Sequence, residues 1–323
     1  MTHQRYGDAG VLEVTEVPVP VPKAGEVLVR VSAASLNPAD KFMMLGAPAP
    51  IRLMMGLARP APGHRVRGHD LAGTVVSVGE GVTRLQVGAQ VFGSTGGALA
   101  EFACGKEGVF AVKPPGLSFE HAAAMPMAAL AALHGLRDAA KIASGQHVLV
   151  NGASGGIGTF AVQIAKAFGA EVTGVCSTDN VELVRELGAD HVIDYTQRPL
   201  TASDRRYDVI FDNVGNHGIG ALLRLLTPHG TLLPNSGEAG PDGGAIARVL
   251  KARWHDLIGR QRVRSFLSTT NAEDLALLAG MVEDGTVTPV IGRTYPLEET
   301  ADAMAYLAGR HARGKVVIAV AAA

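Results

Sequence analysis

The chain has 323 residues, 47% of them hydrophobic, enough for a large core divided between about two domains. Its 29 lysines and arginines nearly balance 30 aspartates and glutamates, which leaves no net field to draw nucleic acid or an anionic membrane surface. The start, Met1-Thr2-His3-Gln4-Arg5-Tyr6, places no apolar segment behind a basic one, and no stretch approaches about eighteen uninterrupted apolar residues, so a cytoplasmic location is expected. Cys104 and Cys176 are the only cysteines, too few for a disulfide framework or a four-cysteine zinc site, and both read as small buried hydrophobes.

As far as about Ser118, short apolar runs are punctuated by glycine and proline: Glu26 to Val31, Gly73 to Gly79 and Ala89 to Gly93. That rhythm predicts β-rich structure. Helical patterns over Glu120 to Ala140 and Ile157 to Phe168 then alternate with short strands at His147 to Val150, Glu171 to Val175, His191 to Asp194, Val209 to Asp212 and Gly230 to Leu233. Strands separated by helices predict βαβ units and a parallel sheet, an α/β fold. Gly237 to Gly244 reads as a loop, and the tail as a helix over Glu298 to Ala308 followed by a strand ending at Val320.

Gly152, Gly155 and Gly158, in the run Gly152-Ala153-Ser154-Gly155-Gly156-Ile157-Gly158, give G-x-x-G-x-x-G, a weak signal by spacing alone in a chain with 40 glycines. Its setting is stronger. A strand leads in, an amphipathic helix leads out, and Gly169-Ala170-Glu171-Val172-Thr173 stops that helix and starts a second strand. Such a loop lets backbone N–H groups approach a pyrophosphate at a helix N-terminus, so a nicotinamide dinucleotide is the expected ligand. An NAD site usually places an acid roughly 20 residues beyond the loop, on the ribose 2′-hydroxyl. Here the second strand ends in Cys176-Ser177-Thr178, whose hydroxyls suit a 2′-phosphate; NADPH is therefore expected, with NADH as the alternative. Asp179 would repel that phosphate if it pointed inward, and its spacing to Glu182 reads instead as a capping box.

The run from Val148 to Tyr195, closed by Gly188-Ala189-Asp190-His191-Val192-Ile193-Asp194-Tyr195, resembles the medium-chain dehydrogenase/reductase superfamily, and most of all its zinc-independent quinone oxidoreductase branch. Further matching segments are Pro18-Val19-Pro20, Gly25 to Val29, Asn37-Pro38-Ala39-Asp40, Gly68 to Gly73, Phe211 to Gly215 and His311 to Val317. The resemblance implies a GroES-like β-rich catalytic domain (1–118 and 265–323), a Rossmann domain (119–264), a cleft between them and a homodimer. Returning the tail to the first domain rests on this resemblance alone.

Where zinc-dependent members of the superfamily carry two cysteines and a histidine, this chain has Asn37, His69 and Met127, with Asp40 and Asp70 as the only acids nearby. No metal is expected, and without a Lewis acid the oxidation of simple alcohols is disfavoured. The N-x-x-D match implies that Asn37 orients a substrate carbonyl or the cofactor carboxamide and that Asp40 supports its loop; a turn-capping role for Asp40 stays open. His69 could donate a proton or hydrogen bond to the reacting oxygen, or be a packed histidine under the cleft. Ala131 stands where relatives often carry threonine, removing a hydroxyl near the nicotinamide.

The resemblance also places Val214-Gly215 and Asn235-Ser236 along the nicotinamide half of the cofactor, Tyr195 near the adenine end, and Phe266-Leu267-Ser268 by the carboxamide. Met43, Met44, Leu53, Met54, Met55 and Leu57, with Trp254 and Leu257, are candidates for an apolar substrate pocket or for ordinary core. Arg253, Arg260, Arg262 and Arg264 read as a solvated face or as contacts for an anionic substrate. The expected function is zinc-independent, NADPH-dependent hydride transfer to a quinone or an α,β-unsaturated carbonyl, with a small apolar carbonyl-containing substrate and no nucleic-acid or membrane partner. Two alternatives are carried forward: a reductase of one polycyclic or carrier-bound biosynthetic intermediate, and a non-catalytic nucleotide-binding protein.

Overall fold

The computed structural model describes residues 1–235, 241–242, 245–309 and 312–320. From the N-terminus come β1 (Glu26–Leu36), α1 (Pro38–Leu45), α2 (Pro50–Met55), β2 (Asp70–Val78), β3 (Gln90–Ser94), β4 (Phe102–Lys106), β5 (Phe110–Val112), α3 (Phe119–Ala123) and α4 (Pro126–Leu133). A π-helical stretch, His134–Ala140, leads to β6 (His147–Asn151), α5 (Gly156–Ala167), β7 (Glu171–Cys176), α6 (Val181–Glu186), β8 (His191–Asp194), β9 (Tyr207–Asp212), α7 (Ile219–Leu223), β10 (Leu226–Pro234), α8 (Ala245–Ile258) and β11 (Arg262–Val263). The tail supplies α9 (Ala272–Glu283), β12 (Ile291–Pro296), α10 (Thr300–Ala308) and β13 (Lys315–Ala319). The long helix expected over Glu120 to Ala140 is broken because Pro126 opens a new helix and the chain widens into π geometry at His134.

Two compact units result, the first from Met1–Leu130, Thr269–Gly285 and the chain from Pro289 on, the second from Ala131–Ser268 and Thr286–Thr288. These limits differ from the expected ones at both ends. Residues 119–130 join the first unit because α3 packs on β1 and β2. Residues 265–268 join the second because the Phe266 ring lies against Phe211 and the Ser268 hydroxyl bonds His134.

The first unit is built on one sheet ordered β12-β13-β1-β2-β3-β5, with β4 also paired to β1. β1 is its centre: alternating Val27, Val29 and Val31 are fully buried, and its second half pairs antiparallel with β13, Leu36 opposite Val316. That pairing makes the tail part of the first unit. Gly73 opposes β1 so closely that a Cβ there would lie 2.1 Å from the Arg30 carbonyl, so the glycine of Gly68 to Gly73 is a packing requirement of the sheet.

The second unit is a six-stranded sheet ordered β11-β10-β9-β6-β7-β8, and every pairing within it is parallel. Its apolar strands, such as Val148-Leu149-Val150, are fully buried, as expected for a parallel sheet covered on both faces. The order is that of a Rossmann fold. It reverses between β6 and β9, and in such sheets ligands bind outside the carboxyl ends of the strands at that reversal.

Candidate active site

β6 and β9 end side by side in register, Asn151 opposite Asp212. The Asn151 side chain donates to Asp212 Oδ1 at 2.8 Å and to Asn216 Oδ1 at 3.0 Å. The buried Asp212 carboxylate also accepts from the backbone N–H groups of Val214 (3.3 Å) and Gly215 (3.0 Å), which fixes the loop beyond β9. Asn235 is tied to the same strand end: its N–H donates to the Asp212 carbonyl at 2.9 Å and its side chain to Asn213 Oδ1 at 2.9 Å. Asn213 Nδ2 is buried without a hydrogen-bond partner among the described residues, a donor held ready beside the crevice.

The glycine loop runs along this crevice. Gly152 turns the chain with φ +79°, and its N–H and that of Ala153 both donate to the Val175 carbonyl of β7. A Cβ on Gly158 would sit 2.0 Å from the Gly152 carbonyl oxygen, so only glycine lets the first turn of α5 close onto the loop. Gly155 caps that helix without a side chain, and the first-turn N–H groups, in the stretch Gly156-Ile157-Gly158, keep their donors for an anion. A pyrophosphate group fits this cradle.

At the carboxyl end of β7 the structure corrects two readings. Asp179 is not a helix cap: Ser177 to Asn180 form a short 3₁₀ turn closed by Asn180 N–H on the Ser177 carbonyl, and Asn180 precedes α6. The Thr178 hydroxyl is committed, donating to Asp194 Oδ2 at 2.6 Å, because the β7/β8 register sets Cys176 opposite Asp194. That hydrogen bond holds the Asp194 carboxyl below the usual range. Ser177 Oγ accepts from Asn180 Nδ2 at 3.0 Å and keeps its own proton. Tyr195 is half exposed, with its N–H on the Cys176 carbonyl at the end of β7. Burial, aided by the Asp194 charge, pushes the Cys176 thiol up to about 11, which leaves it protonated and inert. Ser236 lies outside the described residues.

The first unit buries a second polar group. Asp70, on β2, accepts from Asn37 Nδ2 at 2.9 Å and from the Met127 N–H at 3.2 Å. Lys315, on β13, donates to Asn37 Oδ1 at 2.6 Å and to the Leu36 carbonyl at 3.1 Å, with its Nζ 3.7 Å from Asp70. Burial pushes the Asp70 carboxyl up and the Lys315 ammonium down, each partly opposed by the other's charge. Removing either would strand the remaining charge at a cost of about 3–5 kcal/mol. Asn37, expected to orient a substrate carbonyl or the cofactor carboxamide, uses its amide here to bridge Lys315 and Asp70. The residue is 5% exposed, and both ends of the amide are engaged.

Asp40 sits beside this bridge, fully buried on the first turn of α1. Its Oδ2 accepts from the Asn37 N–H at 2.9 Å and its Oδ1 meets His69 Nδ1 at 2.7 Å. Burial alone would raise the Asp40 carboxyl, but the His69 hydrogen bond and charge, the Asn37 N–H and the nearby Arg67 guanidinium hold it below its ordinary value. Burial likewise lowers the His69 imidazolium, yet the hydrogen bond to Asp40 and the charges of Asp40 and Asp70 outweigh it and raise His69 above 6.5. His69 is the member of this group that keeps contact with solvent, its side chain 25% exposed.

The alcohol dehydrogenase GroES-like domain model matches residues 23–115 and the zinc-binding dehydrogenase model residues 187–318. The chain is 34% identical over 330 residues to the chloroplastic quinone-oxidoreductase homolog of Spinacia oleracea, covering 97% of this chain and 95% of that protein. It is 32% identical to the chloroplastic NADPH-dependent alkenal/one oxidoreductase of Arabidopsis thaliana, over 97% of this chain and 77% of that one. The solved quinone oxidoreductase of Coxiella burnetii superposes with a TM-score of 0.84 at 28% identity, over 99% and 98% of the two chains. The chain belongs to the medium-chain dehydrogenase/reductase superfamily, in its quinone oxidoreductase-like branch.

Although one of the matching family models is named for zinc, among the described residues of this superfamily member no three His, Cys, Asp or Glu side chains are grouped to hold a metal ion. The apolar candidates split: Met44 and Met55 belong to the core, whereas Leu53, Met54 and Leu57 are exposed around α2, as are Trp254 and Leu257 on α8. The arginines at 253, 260, 262 and 264 are exposed, and Arg264 pairs with Asp256. Sequence reasoning missed Asn151, Asp212 and Lys315 as site residues. Polar residues ending two adjacent parallel strands were the available signal for the first pair. Lys315 gave none, since its partners lie some 280 positions away along the chain.

Asp40→Asn removes the charge that outweighs burial at His69. The His69 pKa is expected to fall below its native value in the variant, read by imidazole NMR titration; an unchanged value would contradict the pairing. In the native protein the pair stabilises the fold fully between about pH 4 and 6.5. Asp40's share is lost as pH falls through its depressed pKa, and His69's as pH rises through its elevated one.

Proposed function

We propose that this protein is a zinc-independent, NADPH-dependent oxidoreductase that reduces a quinone or an α,β-unsaturated carbonyl compound, acting as a cytoplasmic homodimer. The observation that carries the reading is the glycine cradle at the sheet reversal, where Gly158 seats the first turn of α5 against the Gly152 carbonyl and leaves donors for a pyrophosphate. The names of its relatives, which include quinone and NADPH-dependent alkenal/one oxidoreductases, support the substrate class and the cofactor. Two free thiols, one of them raised well above neutrality, suit a reducing compartment.

In this reading Gly152 to Gly158 bind the pyrophosphate, Ser177, Thr178 and Tyr195 the adenosine end, and Val214, Gly215, Asn235, Ser236, Phe266 and Ser268 the nicotinamide end. When bound, the reduced nicotinamide supplies a hydride. Reduction of a conjugated acceptor gathers negative charge on its oxygen, which a hydrogen-bond donor can hold without a metal. His69 is that donor. Asp40 fixes its Nδ1–H, leaving Nε2 as the nitrogen that carries and releases a second proton, and the raised pKa favours that protonated form. Asn37, Asp70 and Lys315 hold the start of α1, the helix that carries Asp40.

The purified protein is expected to oxidise NADPH with simple quinones and enones, and His69→Gln to lower kcat about 100-fold at pH 7 with KM within about threefold. Because the donor is the protonated form, native kcat falls as pH rises past the elevated His69 pKa, and the variant loses that limb. An unaltered profile in the variant would remove His69 from the chemistry. Tight NADPH binding with no turnover on any quinone or enone would favour the nucleotide-binding alternative.

Asp194→Asn keeps a partner for Thr178 while deleting a negative charge at the adenosine end. It is expected to lower the NADPH Kd several-fold and leave that of NADH within about twofold; equal shifts in both would contradict the placement of the 2′-phosphate near Thr178.

A further inference from the structure

We propose that His134 is a positioning residue that sets the backbone of the Phe266–Ser268 segment, the segment that the reading above assigns to the nicotinamide end of the cofactor. The proposal rests on the reading that the second unit binds NADPH. It adds a residue that neither the sequence motifs nor that reading assigns.

β11 ends at Val263, and the Arg264 N–H on the Leu232 carbonyl is the last ladder bond. Beyond it the segment is held by side chains. The Phe266 ring meets Phe211 edge-on, with centroids 5.9 Å apart and planes at 67°. The Ser268 hydroxyl is 2.8 Å from His134 Nδ1. Between these anchors Leu267 is 85% exposed, so its own side chain gives the backbone no packing restraint. His134, in contrast, is only 8% exposed.

The anchor is itself built for the purpose. His134 begins the π-helical stretch, a geometry rare in proteins and concentrated at functional sites. Its neighbour Gly135 has no room for a side chain: a Cβ would lie 2.9 Å from Phe211 Cζ and 3.0 Å from Phe266 Cζ. The turn therefore seats directly on both rings while His134 reaches Ser268. Phe211 precedes Asp212, the carboxylate that fixes the Val214–Gly215 loop, so one turn braces both backbone segments assigned to the nicotinamide end. A braced segment presents its backbone groups at fixed positions, which is what discrimination of a planar amide requires.

The test compares Kd values for NADP⁺ and its 3-acetylpyridine analogue, in which an acetyl group replaces the carboxamide and removes its N–H donors. For His134→Ala the NADP⁺ Kd is expected to rise about tenfold while that of the analogue moves less than about twofold, so discrimination between the two collapses. His134→Gln, which keeps a polar group able to donate or accept, should restore most of the preference. Ser268→Ala should reproduce the loss, and the double variant should be no worse than either single one. Parallel weakening of both nucleotides, or an unchanged ratio in both single variants, would overturn the proposal. Ser268→Ala deletes one hydroxyl of a partly exposed residue and carries the test if His134→Ala does not fold. If the native protein binds neither nucleotide, the reading of the second unit falls, a result distinct from binding with an unaltered ratio.

Discussion

The hydrogen bond from Asn151 to Asp212 joins the ends of two strands at the place where the order of the parallel sheet reverses. Sheet topology opens a crevice there whatever the side chains; this bond, with the Val214 and Gly215 N–H groups on the same carboxylate, turns the crevice into a rim of fixed backbone. The glycine loop depends on that rim. Gly152 leaves β6 directly after Asn151 with φ +79°, a Cβ on it would meet the Val214 side chain, and a Cβ on Gly158 would strike the Gly152 carbonyl oxygen. Close approach of backbone to backbone, rather than any charged side chain, makes the site suitable for a pyrophosphate.

The first unit solves a different problem, that of keeping charges inside a β-rich core. Asp40, Asp70, Arg67 and Lys315 are all buried, and the amide of Asn37 connects the second acid to the lysine while its backbone N–H serves the first. Such groups are costly unless fully partnered. Within this group His69 keeps contact with water, and although burial opposes it, the hydrogen bond to Asp40 and the charges of Asp40 and Asp70 raise its pKa. The chemistry proposed for His69 rests on its pairing with Asp40 and on a solvent contact that its buried neighbours lack.

Much of this was legible in the sequence. The alternation of short apolar runs with helical patterns predicted a parallel sheet after residue 118, and the strand-glycine-helix order placed the cradle without any contact information. Asp40 and His69 were visible only singly, through a family resemblance, and their 2.7 Å contact depends on α1 meeting the residue just before β2 across 29 positions. Readings of single side chains fared worst. Thr178 looked free to meet a phosphate until the β7/β8 register set Asp194 against it, and Asn37 looked free to meet a substrate until β13 brought in Lys315. Asp179 matched a capping box, yet the chain spends those residues in a 3₁₀ turn before the helix begins. For Thr178 and Asn37 the deciding partner lies on another strand, and strand register is the information that local pattern lacks.

In the proposed reaction hydride reaches the conjugated position of an activated acceptor, and a proton, ultimately from solvent, completes the reduction. Turnover of a simple enone with NADPH carrying deuterium at C4, prepared separately in each stereochemical form, tests it most directly. One form should place a single deuterium on the carbon β to the carbonyl, with ordinary hydrogen from water at the α carbon, by NMR of the product. Deuterium on the carbonyl carbon of an alcohol product, or its absence from the product with both forms, would rule out conjugate hydride delivery by this protein.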